Sequence, residues 1–191
     1  MSQYHPVMNI PAGTPEIDLT EGFDRAKLVD GWAYGGYNER RINMYTAPQY
    51  EGKRYIHMGI DVWADAGEPV FAVSDGEVVY LTNHDQKGNY GVTIVLKQNT
   101  KNEPVFALYG HLSLASLNLH QPGNTISAGD MVGWLGDEAE NGGWIPHLHY
   151  QLSLDDPGEA DMPGVVSDEE LKKSLEKYPD PLDVFGNSFL F

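Results

Sequence analysis

The 191 residues fit one domain, and with 41% hydrophobic and 21% charged side chains the composition is that of an ordinary folded chain, neither disordered nor membrane-embedded. Twenty-eight acidic against 12 basic groups give a formal net charge of -16, which repels polyphosphate and anionic lipid, so neither nucleic acid nor membrane insertion is expected. There is no cysteine, which excludes disulfides and thiolate ligands; a transition metal would have to be held by His, Asp or Glu.

Residues 1–30 are polar and proline-containing with little periodicity and read as an irregular arm, leaving 31–191 as the folded domain. The start, MSQYHPVMNIPAG, has no basic stretch followed by an apolar one, so at face value the chain is cytoplasmic, or periplasmic or secreted if a leader was removed. The glycine-rich GWAYGGYNERR follows at 31–41. From residue 55, short runs rich in Val, Ile and aromatics are separated by turn signals: YIHMGIDVWA, PVFAV, EVVYL, GVTIVLKQ, PVFALYGHL, MVGWLG and HLHYQLSL. That spacing predicts a mainly β fold, an antiparallel sandwich or barrel-like hybrid. Ser74-Asp75-Gly76 between PVFAV and EVVYL predicts a hairpin, because glycine accepts positive φ. Asn102-Glu103-Pro104 separates two later strands. The acidic loop from Asp155 to Asp161 reads as solvated surface. One short C-terminal helix is expected: Ser167 and Glu170 have capping-box spacing, Leu171, Leu175 and Tyr178 share a face, and Pro179 and Pro181 end it.

Within YIHMGIDVWA, Ile56, Met58, Ile60 and Val62 alternate with His57, Gly59, Asp61 and Trp63, so period two puts His57 and Asp61 on one face. His147 and His149 share a side of their strand in the same way. His111 ends PVFALYGHL behind Gly110, which lets the backbone come close to whatever the imidazole faces. A single strand histidine is more often a packing group than a ligand. Asp61 argues otherwise, since an ionised carboxylate between Ile60 and Val62 costs several kcal/mol to desolvate unless a cation or strong donors meet it. Four imidazoles and one such carboxylate on β-runs point to a zinc site, as zinc accepts nitrogen and oxygen ligands without sulfur.

His57-x-x-x-Asp61, Tyr109-Gly110-His111-Leu112-Ser113 and His147-x-His149 together resemble the lysostaphin-type zinc endopeptidases. The runs GIDVWADAGEPVFAVSDGEVV, NYGVTIVL and GDMVGWLG before PHLHYQL resemble that family in the same order, and the likeness covers about residues 31–155. It implies one Zn2+ ion held by His57, Asp61 and His149, with His111 and His147 as the catalytic pair. It also implies hydrolysis of a peptide bond, in peptidoglycan stem peptides or cross-bridges. A noncatalytic binding module and an intracellular amidohydrolase for a small peptide-like substrate are the alternatives. The family often carries an oxyanion-donating tyrosine shortly before the first histidine; Glu51 sits near that position here, and of the flanking Tyr50 and Tyr55 the choice falls on Tyr50. Asn38 and Arg40, in the segment resembling the family's groove lining, are the candidates for substrate contact.

Overall fold

A computed structural model describes residues 4–45, 48–50 and 52–191 of the protein, residue 49 for its backbone alone. In chain order the strands are β1 (Ala33–Gly35), β2 (Glu39–Arg40), β3 (Ile56–His57), β4 (Ile60–Trp63), β5 (Pro69–Phe71), β6 (Gly76–His84), β7 (Gly91–Gln98), β8 (Val105–Leu112), β9 (Thr125–Ile126), β10 (Met131–Trp134), β11 (His147–Ser153) and β12 (Val165–Val166). Two helices, α1 (Asp168–Lys177) and α2 (Pro181–Phe185), follow. All strand pairings are antiparallel: a seven-stranded sheet in the order β1-β4-β11-β8-β7-β6-β9, a pair β10-β5, and a three-stranded sheet β12-β3-β2. The mainly antiparallel β architecture with a C-terminal helix is the one expected. Among the described residues no helix is long and apolar enough to cross a membrane.

The large sheet is buried on both faces at its centre, which is why β7 and β8 read as continuous apolar runs. One face presents Ile94, Leu96, Ala107, Tyr109, Leu148, Tyr150 and Leu152 to the main core, closed by Val70 and Val132 of the two-stranded pair and by Phe185 and Phe189 at the C-terminus. The other presents Val95, Phe106 and Leu108 to a second core shared with Ile56, Met58 and Val166. Residues 4–30 hold no named strand and one turn of 3-10 helix, Arg25–Lys27. Nevertheless Val7, Met8 and Leu19 in that stretch are fully buried.

Two sequence expectations are corrected. The hairpin at Ser74-Asp75-Gly76 does not form: β5 pairs with β10 while β6 pairs with β7 and β9. Gly76 is not at positive φ. A Cβ there would lie 3.0 Å from the Cα of Gln98, so the glycine serves close approach of two strands. The run YIHMGIDVWA is also not one strand. It breaks at Met58 and Gly59, so Ile56 and Met58 enter the second core while Ile60 and Val62 enter the first. The capping box does form, with Ser167 accepting from the Glu170 amide and the Glu170 side chain accepting from the Ser167 amide. Leu171 and Tyr178 pack inward, Leu175 stays 38% exposed, and a five-residue helix begins at the second of the two prolines, Pro181.

Candidate metal centre

The break after β3 does not separate His57 from Asp61. β4 lies beside β11 with His149 opposite Asp61, and His57 reaches both from the separate sheet that holds β3, so His57 Nε2, Asp61 Oδ1 and His149 Nδ1 form a triangle. Its sides are 2.9 Å between the two imidazoles, and 3.2 and 3.1 Å from His57 and His149 to the carboxylate. Ligands of a tetrahedral zinc, each ~2.0–2.1 Å from the ion, stand ~3.3 Å apart. All three residues are at most 3% exposed.

The outer atoms of the same side chains decide what the inner ones offer. His57 Nδ1 faces the carbonyl of Gly36 at 2.8 Å, an acceptor only, so Nδ1 donates and Nε2 carries a bare lone pair. Gln151 donates its amide nitrogen to the Pro163 carbonyl at 3.3 Å, which turns Oε1 toward His149 Nε2 at 3.0 Å. His149 therefore donates through Nε2 and leaves Nδ1 bare. Asp61 Oδ2 accepts from Arg41 Nη1 at 2.5 Å. Two nitrogen lone pairs and a carboxylate oxygen converge within van der Waals distance, an arrangement that repels itself until a cation enters, and the nitrogen–oxygen donor set suits a divalent transition metal.

His111 is delivered by a bulge. Between the pairs Ile94–Tyr109 and Val92–Leu112, β8 has two residues where β7 has one. Tyr109 and Leu112 thus both point into the core, and Gly110 and His111 are left to the other side. His111 takes φ of 62°, a left-handed conformation that costs a non-glycine residue about 1–3 kcal/mol. Its amide donates to Tyr90 and its carbonyl accepts from Gly136, and Nδ1 donates to the Asn141 carbonyl at 2.9 Å. His147 Nδ1 likewise donates to the Ile145 carbonyl at 2.7 Å. The two rings lie 4.3 Å apart between centroids, and His147 Nε2 is 4.0 Å from Asp61 Oδ1. Both Nε2 atoms are consequently proton acceptors beside the triangle. The five side chains line a cleft of about 500 Å³ together with Tyr50, Tyr45, Trp144 and, from the N-terminal stretch, Phe23.

Burial controls the protonation states. It brings the His57 imidazole down to about 4, Arg41 adding to the effect against the pull of Asp61. It holds His111 well below its ordinary range, helped by His147 and His149, and lowers His147 despite Asp61. Burial alone would raise Asp61, but His57 and then Arg41 outweigh it and keep the carboxyl well below the carboxylate range. At neutral pH Asp61 is therefore ionised while His57, His111 and His147 are neutral.

Residues 55–160 match Peptidase family M23. The chain belongs to peptidase family M23. M23 enzymes are metallopeptidases, and the His57-Asp61-His149 cluster lies inside the matched segment as the group able to hold the metal. The DD-carboxypeptidase/endopeptidase Mpg of Neisseria meningitidis serogroup B is 32% identical over 99 residues, covering 52% of this chain and 20% of that one. The peptidoglycan DD-endopeptidase ShyC of Vibrio cholerae is 28% identical over 134 residues, covering 70% and 27%. Lysostaphin of Staphylococcus simulans is 27% identical over 96 residues, covering 50% and 18%. The chain thus matches between 18% and 27% of the length of these curated relatives. Among solved structures, the lysostaphin catalytic domain from the same species superposes with a TM-score of 0.47 at 22% identity over 74% of this chain and 92% of that one.

Within this M23 site the structure does not bring together every residue singled out from sequence. Asn38 is a left-handed turn residue (φ 55°) whose amide donates to the His57 carbonyl, and Arg40 is paired with Asp168 at 2.5 Å, half exposed; neither lines the cleft. Tyr50 is on the cleft wall with its hydroxyl donating to the Gly88 carbonyl at 2.5 Å. Tyr55 bonds Asp168 outside the cleft, and Glu51 lies outside the described residues. Sequence reasoning missed four contributors. Arg41, fully buried, takes the place expected of its neighbour. Tyr45 bonds Arg41 at 3.3 Å; Asn141 ties the 136–144 loop around His111; Gln151 sets the His149 tautomer. Only Gln151 had a readable signal, lying two residues after His149 on the same strand face.

Proposed function

We propose that the chain is a zinc-dependent hydrolase of peptide bonds, with one Zn2+ held by His57, Asp61 and His149 and with peptidoglycan stem peptides or cross-bridges as substrate. The observation that carries this reading is the convergence of three bare ligand atoms whose outer partners are all satisfied, beside two further imidazoles that are free bases on the cleft side. When bound, zinc lowers the pKa of water at its open position to about 7 and polarises the scissile carbonyl. The rest falls to the chain. His111 and His147, neutral and with Nε2 exposed to the cleft, accept the proton of the attacking water and return it to the departing amine. As imidazolium, either one donates to the oxyanion that develops on the carbonyl. Tyr50 adds a hydroxyl donor from the cleft wall once substrate replaces Gly88 as its partner. No nucleophilic side chain is placed for a covalent intermediate among these groups. The substrate class in this reading is supported by the name of one relative, the peptidoglycan DD-endopeptidase of Vibrio cholerae.

The test is metal analysis together with hydrolysis of purified peptidoglycan and of short peptides. His57→Ala should lose zinc with an unchanged circular dichroism spectrum, and His111→Ala should keep zinc and lose turnover. Full zinc occupancy with no turnover on any amide would replace the reading with a binding module. Turnover confined to short peptides would move the substrate to a small peptide-like molecule.

A further inference from the structure

Asp61 has two oxygens and the triangle uses one. Oδ1 faces both imidazoles, whereas Oδ2 is held by Arg41 Nη1 at 2.5 Å in a setting where neither partner is more than 3% exposed. Arg41 is itself fixed from behind: Nε donates to Glu39 Oε2 at 2.7 Å, and Glu39 Oε1 accepts from the backbone amide of Leu19 at 2.9 Å. Both Glu39 and Arg41 lie upstream of the segment matched by the family. A buried ion pair is poor evidence of stabilisation, because desolvation offsets the attraction. Here the imbalance is visible, since Arg41 Nη2 is one of two buried side-chain atoms without a hydrogen-bond partner among the described residues. A guanidinium kept under that penalty against a ligand-bearing carboxylate has a task other than holding the fold.

We propose that Arg41 is a positioning residue that commits Asp61 to coordinate through Oδ1 alone, and that Glu39 transmits to it the placement of the N-terminal arm. A free carboxylate can chelate an ion with both oxygens. With Oδ2 engaged it could not, so three protein atoms would hold the ion and a fourth position would be left for solvent. Removing the guanidinium frees Oδ2 to swing toward the ion and also leaves an unpaired buried charge. This inference rests on the metal-site reading given above, and it adds two residues that no motif of that site includes.

Cobalt(II), which takes zinc sites and reports coordination number through its d–d absorption, is the probe. The whole chain, stripped with a chelator, is titrated with Co2+. The parent should give the strong bands of a four-coordinate site. Arg41→Gln should bind about 10–100-fold more weakly, as for other outer partners of metal ligands, and its bands should weaken toward five-coordinate intensity. Arg41→Lys, which restores a cation at Oδ2, should recover the four-coordinate spectrum. A parent-like spectrum and affinity in Arg41→Gln, or a Lys variant indistinguishable from the Gln variant, overturns the proposal. Should Arg41→Gln fail to fold, Glu39→Gln carries the test: a smaller change of the same kind is expected, and no change refutes it. A parent that binds no Co2+ sinks the metal-site reading and this inference together, whereas a metal-binding parent with indifferent variants sinks the inference alone.

Discussion

Replacing Gln151 by Leu isolates the tautomer argument on which the metal site depends. Gln151 is fully buried, accepts from His149 Nε2 at 3.0 Å and donates to the Pro163 carbonyl at 3.3 Å. Leucine fills much of the same space and does neither. In the metal-free chain a buried donor left without an acceptor costs about 1–3 kcal/mol. The imidazole has an escape: its proton moves to Nδ1, where Asp61 Oδ1 waits at 3.1 Å. That relieves the metal-free protein and simultaneously occupies the lone pair the ion needs. Metal affinity should therefore fall about 10–100-fold, or roughly 1.4–2.8 kcal/mol at about 1.4 kcal/mol per tenfold. The melting temperature without metal should drop by less than the full penalty implies. Competition for Zn2+ against a chromophoric chelator, with melts in parallel, reads both quantities. A folded Leu variant that holds zinc as tightly as the parent would show that Gln151 does not set the His149 tautomer.

Further outcomes follow from the same geometry. A Cβ at Gly59 would lie 2.6 Å from the Tyr150 carbonyl and 2.8 Å from His149 Cε1, so Gly59→Ala should cost about 1–3 kcal/mol on overpacking grounds and abolish stoichiometric zinc binding, measured by unfolding and metal analysis. His57 falls from its ordinary 6.5 to about 4 in the fold, so between those values the unfolded chain binds the extra proton. The metal-free protein should then lose stability as pH drops from about 6.5 to about 4, by about 1.4 kcal/mol per pH unit for that one proton. His111 and His147, displaced in the same direction, steepen the loss. Urea unfolding in chelator across that range checks it, and a flat or opposite trend contradicts the protonation scheme. Ser167→Ala removes the α1 cap and should cost about 1 kcal/mol in melting experiments with hydrolysis and zinc content unchanged.

What the chain alone determined is local. Period-two alternation in His147-Leu148-His149-Tyr150-Gln151 places three polar groups on one face and two apolar ones on the other, because adjacent side chains of a strand must point oppositely, and β11 does this. The isolated carboxylate of Asp61 announced a nearby cation, and the Ser167–Glu170 spacing announced a helix start, both from effects that act within a few residues. Tertiary structure decided the rest. Whether Arg40 or Arg41 faces inward depends on which of them reaches Asp61 of β4 and which reaches Asp168, and two adjacent arginines look alike until the partner is known. The bulge that turns His111 out of the core exists only relative to β7, and the break at Met58-Gly59 only because β3 and β4 serve different sheets. Gly76 reads as a turn residue and acts as a contact for Gln98, since a missing side chain serves curvature and close approach equally. Long-range pairing chooses between such uses, and pairing energies are not written in the spacing of any one segment.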